Sequence, residues 1–170
     1  MAEVKIEPFD IKYLSDYYNE FDAEITKYQW PDPFKSIDDA KELLQKFIDE
    51  MGRDETIFLS VLSETGEFMG SVEVHGLDED CPELGVWIKK SEWGKGYAYQ
   101  ALKAALDIAM SKYGKTEFFY EADTRNVGSR KLLDKFKDEY DIEAQAAEAL
   151  TTDSGKELEL QGFILTLKEG

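Results

Sequence analysis

The chain has 170 residues, 42% of them hydrophobic and 13% aromatic, which is enough apolar material for one buried core and too much for a disordered polypeptide. Its 37 acidic against 20 basic side chains give a formal charge of −17, which repels phosphate backbones and excludes nucleic acid as an expected partner; the acidity either serves solubility or draws amines and basic peptides. No apolar stretch approaches the roughly 20 residues of a membrane span, the opening "MAEVKIEPF" carries no leader pattern, and the single Cys81 permits no internal disulfide, so a cytoplasmic protein without a membrane partner is expected.

"EVKIEPF" reads as a short strand. Behind a possible Asp10 cap, Ile11, Leu14, Tyr17, Tyr18 and Phe21 recur at helical spacing. "YQWPDPF" is a proline-broken aromatic loop, after which Ser36 caps a helix with Ala40, Leu43, Leu44, Phe47, Ile48 and Met51 on one stripe and Gly52 as its stop. "TIFLSVL" and "EFMGSVEVHGL" flank the turn "SETG" and predict a hairpin. "PELGVWIKK" is a third strand that runs into "SEWGKG", followed by a helix with Ala98, Ala101, Leu102, Ala105, Ile108 and Ala109 on its apolar face. "TEFFYEAD" is a strand, and "NVGSRKLLDKF" is a short helix capped by Asn126. "ELELQGFILTL" is a strand. The alanines and glutamates of "YDIEAQAAEAL" favour helix, but its place opposite a partner across "TTDSGK" favours a hairpin, and a strand is expected. No repeat, low-complexity tract or linker divides residues 1–170, so one α/β domain is predicted.

The corner at Gly94 and Gly96 carries the first chemistry. A helix that begins near Tyr97 leaves its first N–H groups without intrahelical acceptors, and its dipole adds partial positive charge there. Glycines remove the Cβ atoms that would hold a ligand away, so the corner suits a phosphate or pyrophosphate. A dinucleotide fingerprint would need glycine where Tyr99 stands, and a nucleotide P-loop would need Ser or Thr after a Gly-Lys pair; both fail on the residues.

"ELGVWIKKSEWGKGYAYQALKAAL" followed by "TRNVGSRKLLDKF" resembles the GNAT superfamily of acetyl-CoA-dependent N-acetyltransferases, in the branch that includes ribosomal-protein N-terminal acetyltransferases. Trp93, Gly96 and Ala98 occupy the key places of the family's pyrophosphate motif, with Gly94, Lys95 and Tyr97 between them. The spacing of Asn126 and Ser129 matches the branch's asparagine–two–serine signature. The resemblance implies an α/β (α+β) fold: one mixed, mostly antiparallel sheet of about seven strands flanked by about four helices. It also implies acetyl-CoA as cosubstrate, with no metal, and transfer of acetyl to a primary amine by direct attack. Residues 93–98, Asn126, Ser129 and the backbone of Val86, Trp87 and Ile88 would hold the cofactor.

Such a reaction needs a base to free the amine, a donor at the thioester carbonyl and a proton for the departing sulfur. Glu83 is the first candidate base; Glu73 and His75 stay open beside it. The tyrosine that many members use as acid is replaced by Leu133, and the branch signature passes that task to Ser129, with Tyr120 and Tyr140 as further donors. Tyr28, Trp30 and Phe34 flank the loop prolines and, with Glu73, are the candidate acceptor-binding residues. A protein N-terminus, a polyamine or another small cationic amine would serve as acceptor, to a monomer or a homodimer. The missing tyrosine, together with "FKDEY" where the family usually has Gly-Phe after the last helix, leaves open a non-catalytic acyl-CoA-binding module of the same fold; an acidic interaction protein without cofactor would require the glycine corner to be coincidence.

Overall fold

β1 (Lys5–Pro8), α1 (Leu14–Glu20), α2 (Ile37–Gly52), β2 (Thr56–Leu62), β3 (Phe68–His75) and β4 (Glu83–Ile88) form the first half of the chain. α3 (Tyr97–Tyr113), β5 (Glu117–Asp123), α4 (Val127–Asp134), β6 (Tyr140–Thr151) and β7 (Glu157–Leu167) form the second. The structure, a computed structural model, describes residues 3–29 and 32–169. Its strands make one sheet in the order β1-β2-β3-β4-β5-β7-β6, antiparallel throughout except between β4 and β5. This is the expected mixed, mostly antiparallel sheet with four α-helices.

Strand alternation sorts the side chains into two cores, one on each face. Ile57, Leu59, Val61, Val72 and Val74 meet α3, whose wholly buried Ala101, Ala105 and Ala109 let the helix lie close to the sheet. Phe58 and Phe68 point the other way and meet Phe9, Tyr17 and Leu44 from the α1 and α2 side. β2 is buried along its whole length because both of its faces are covered.

Asp10 caps a single 3-10 turn, Ile11–Tyr13, from which α1 continues. Ser36 caps α2 by accepting from Asp39 N–H at 3.1 Å. Gly52, expected to stop α2, is instead its last helical residue; the left-handed turn falls on Asp54 at φ 58. An aspartate tolerates that conformation better than most side chains, and Asp54 also accepts from the Tyr113 hydroxyl at 2.7 Å. The ambiguous "YDIEAQAAEAL" segment is strand β6, paired with β7 and bulged between Ala144 and Ala147. Pairing to the open edge of β7 outweighs its helical composition. After α4, buried Phe136 packs on Tyr99 and the chain turns directly into β6.

The sheet is split at its centre. β4 pairs with β3 along six residues but with β5 only at Glu83–Phe119, supported by Phe119 N–H donating to Pro82 O at 2.9 Å. Beyond that vertex the two strands diverge. The loop between α1 and α2 ties the halves together a second time. Asp32 accepts from Thr152 Oγ1 at 2.9 Å and from Ser154 Oγ at 2.8 Å in the β6–β7 turn. Lys156 Nζ donates to Thr26 O at 2.6 Å and to Gln29 O at 2.9 Å.

Candidate active site

The turn before α3 takes left-handed backbone at both glycines, with φ 79 at Gly94 and φ 81 at Gly96. Gly96 is the N-cap, no side chain caps the helix, and the first intrahelical bond runs from Gln100 N–H to Gly96 O. The N–H groups of Tyr97, Ala98 and Tyr99 therefore stand ahead of the helix without intrahelical acceptors. Just past the end of β4, Lys89 N–H turns to Met69 on β3 while Ile88 O turns away from it and accepts from Trp93 Nε1 at 2.6 Å. By alternation, Val86 and Ile88 aim their main-chain groups at the split, and Trp87 aims its own at β3.

Two cavities open on the two sides of this split. The first, about 650 Å³, runs from Gly94, Gly96, Tyr97 and Ala98 past Val86–Ile88 to Asn126–Ser129. Lys27, Arg125, Lys131 and Lys135 line it against only Glu24 and Glu92, an excess of positive charge in a chain of net −17. The second, about 540 Å³, lies on the α1 and α2 side and is lined by Glu73, Glu83, Glu121 and Asp32. No lysine or arginine stands among its described lining residues. Gln29, Val86, Trp87, Tyr120 and Ser129 line both cavities, so the two meet there.

Glu73 is 8% exposed, and no described residue gives it a hydrogen bond or an ion pair. Burial pushes its carboxyl up to about 8. Tyr17 stands beside it and is driven up by burial first and by the Glu73 charge second. Ser71 and Trp87 face the Tyr17 hydroxyl, yet neither Ser71 Oγ nor Trp87 Nε1 reaches a partner at hydrogen-bond distance. Glu83 is raised by burial and then by Glu121. His75 is lowered by burial and packs its ring 4.7 Å from Phe47.

Where the cavities meet, the Tyr120 and Ser129 hydroxyls are 2.9 Å apart. Burial raises Tyr120, so its O–H is kept. Asn126 Oδ1 accepts from Ser129 N–H at 3.1 Å and so fixes the first turn of α4. Leu133 is buried in the core, and Tyr140 packs on Phe118 and Phe136 away from both cavities.

The candidates thus fall into distinct places. Val86, Trp87, Ile88, Trp93, Gly94, Gly96, Tyr97, Ala98, Asn126 and Ser129 all line the first cavity. Lys95 does not; its side chain pairs with Glu92 at 2.7 Å. Glu83, Glu73 and Phe34 line the second. Tyr28 lines the first cavity instead, and the Arg125 guanidinium lies 4.7 Å from its ring centroid, so the chain's own cation already covers that face. Arg125 in turn holds Asp123 at about 2 through bonds of 2.7 and 2.9 Å. Trp30 lies outside the described residues. Cys81 lines neither cavity and is raised by burial, the reverse of an activated nucleophile. Sequence reasoning did not single out Tyr17, Glu121, Lys131 or Lys135. The two lysines, four apart at the end of the helix that Asn126 caps, with Lys135 as its C-cap, were the readable signal. Among the described residues no group of His, Cys, Asp and Glu is arranged to hold a metal ion, and no helix is long and apolar enough to cross a membrane.

A family model for the acetyltransferase (GNAT) domain matches residues 3–137. The "Uncharacterized N-acetyltransferase p20" of Bacillus licheniformis is 26% identical over 132 residues, covering 76% of this chain and 73% of that protein. Among solved structures, spermidine N-acetyltransferase from Vibrio cholerae in complex with CoA and spermine superposes with a TM-score of 0.80 at 17% identity, covering 96% of this chain and 95% of that one. The ribosomal L7/L12 alpha-N-protein acetyltransferase RimL in complex with coenzyme A superposes with a TM-score of 0.79 at 13% identity, covering 96% and 94%.

Proposed function

The chain belongs to the GNAT acetyltransferase family and is an N-acetyltransferase; we propose that it moves acetyl from acetyl-CoA to the primary amine of a cationic acceptor in one direct attack. One observation carries this reading: a cavity rich in positive charge and a cavity rich in carboxylates meet at Tyr120 and Ser129.

The residues of the first cavity fit the cofactor. N–H groups behind Gly94 and Gly96, with Lys131 and Lys135 nearby, suit phosphates, and the unpaired edge at Val86 and Ile88 suits an extended amide chain. Acetyl-CoA supplies the activated acetyl thioester there. The similar proteins with CoA in their structures support the assignment.

In the second cavity Glu73 takes the proton of the incoming ammonium. An ordinary carboxylate would accept it from a lysine-like ammonium at a cost of about 8 kcal/mol, whereas one titrating near 8 does so at about 3 kcal/mol. Burial of Glu73 is therefore what makes it a base of useful strength. Glu83 keeps a supporting role as a neighbouring carboxylate. The Tyr120–Ser129 pair donates toward the departing sulfur, with the more acidic tyrosine able to renew a proton given by the serine.

Amine acceptors are consistent with the spermidine and ribosomal-protein acetyltransferases that share this fold. Release of free thiol from acetyl-CoA, followed with and without a primary amine, tests the reading. Amine-dependent release with an N-acetylated product is expected. A folded protein that binds acetyl-CoA and releases no thiol with any amine would overturn it.

A further inference from the structure

Around the split, one face of the sheet carries a carboxylate on each of three strands. The register sets Glu73 of β3 opposite Gly85 of β4 and Glu83 of β4 beside Phe119 of β5. Side chains two apart on a strand share a face, so Glu73, Glu83 and Glu121 all project toward the α1 and α2 side. Glu83 stands at the vertex, Glu73 behind the β4 arm and Glu121 on the β5 arm. Glu73 and Glu83 are diagonal neighbours on paired strands, about 7–8 Å apart, Glu121 lies close enough for its charge to act on Glu83, and all three line one cavity, so one small molecule spans them.

Gly85 keeps this trough clear: a Cβ there would stand 3.4 Å from Glu73 Oε2. Gly162, opposite Glu121, instead leaves room for the Phe119 ring, which a Cβ would strike at 2.5 Å. Phe34 and Phe47 supply apolar walls. Glu73, 8% exposed and without a hydrogen bond from any described residue, is aimed into the same space. Carboxylates gathered this closely repel one another unless a cation joins them. Burial followed by the Glu121 charge raises Glu83, and burial followed by the Glu148 charge raises Glu121.

We propose that Glu83 and Glu121 form a subsite for a second ammonium centre of the acceptor, so that the enzyme selects linear diamines and oligoamines over monoamines and peptide N-termini. The inference rests on the transferase reading above and narrows it. While Glu73 receives the reacting nitrogen, the distal ammonium sits between Glu83 and Glu121 and the methylenes between the two lie on the aromatic walls. A monoamine leaves the pair of carboxylates without a counter-charge. A peptide N-terminus carries no second cation at a fixed distance from the reacting nitrogen.

The test compares n-butylamine, putrescine, spermidine and a lysine-free hexapeptide as acceptors, by thiol release from acetyl-CoA. At least a tenfold rise in kcat/KM from butylamine to putrescine or spermidine is expected. Glu121→Gln should erase most of that rise through KM, with kcat for spermidine within about twofold, and Glu121→Lys should reverse the preference. Equal kcat/KM for butylamine and spermidine, a preference for the peptide, or loss of all acceptors in equal proportion in Glu121→Gln would overturn the subsite. Those results leave the transferase standing; failure of every amine to release thiol would overturn the transferase itself.

Discussion

The Tyr120 and Ser129 hydroxyls stand 2.9 Å apart where the cavity lined by Lys131 and Lys135 opens into the cavity lined by Glu73. A pair at that junction acts as one unit, because removing either hydroxyl leaves the other without its partner. Tyr120→Phe and Ser129→Ala should each lower kcat by about 10- to 100-fold with the amine KM little changed. The double variant should be no worse than the weaker single one by more than a few-fold. Steady-state kinetics on the three variants checks this; multiplicative losses would assign the two hydroxyls separate roles.

The turn before α3 separates binding from folding. A Cβ at Gly94 would meet no protein atom within 4 Å, and its cost to the fold is the left-handed backbone at φ 79, on the order of 1 kcal/mol. Gly94→Ala should therefore fold but bind acetyl-CoA about tenfold more weakly by calorimetry, because the methyl group stands where backbone donors meet the phosphates. Undiminished affinity in the folded variant would move the phosphate site elsewhere.

Asp32 makes a prediction about the loop that bridges the split. Burial works to raise its carboxyl, but hydrogen bonds from Ser154 and Thr152 and the Lys156 charge outweigh that and hold it below the usual range. A group lowered in this way contributes above the unfolded aspartate pKa and loses its contribution as pH falls through the folded value. Asp32→Ala should raise the amine KM several-fold by freeing the loop that carries Gln29 and Phe34, whereas Asp32→Asn, which keeps an acceptor oxygen, should recover most of the loss at pH 7. Equal kinetics for Asp32→Ala and the parent would show that the clasp does not shape the site.

The first cavity was far more legible in the sequence than the second. Gly94, Gly96, Asn126 and Ser129 work through local backbone geometry, which turn chemistry and helix caps encode within a few residues. The hairpins and the α3 stripe were readable for the same reason. What groups Glu73 with Gly85 and Glu121 is strand register and the divergence of β4 from β5, and no short window of sequence holds that information. Tyr17 read as a helix-face residue and proved to be one, yet it also stands beside the buried carboxylate. Tyr28 was expected to offer its ring to an ammonium, but Arg125, from the far side of the split, covers it. Glu83 and Glu73 were both visible as carboxylates; the depth of burial distinguishes them, Glu73 being 8% exposed and Glu83, though partly desolvated, open to solvent.

Burial of Glu73 also has a cost in stability. Its carboxyl titrates near 8 in the folded chain against an ordinary 4.5, so between those values the folded state holds the extra proton and stability falls as pH rises. Below about 4.5 both states are protonated and the penalty vanishes. Glu73→Gln should accordingly be more stable than the parent at pH 8, by on the order of a few kcal/mol, and nearly equal to it at pH 4. Urea unfolding at the two pH values measures the difference; an equal gap at both would mean that Glu73 is solvated.

The central claim, that Glu73 deprotonates the acceptor amine, is tested most directly by kcat/KM for a diamine from pH 6 to 10 in the parent enzyme and in Glu73→Gln. The parent should rise with pH and flatten near the Glu73 value of about 8. Glu73→Gln should lie at least 100-fold lower at pH 7 and climb toward the parent as the amine loses its own proton near pH 10. Superimposable profiles for the two proteins would contradict the assignment of Glu73 as the base.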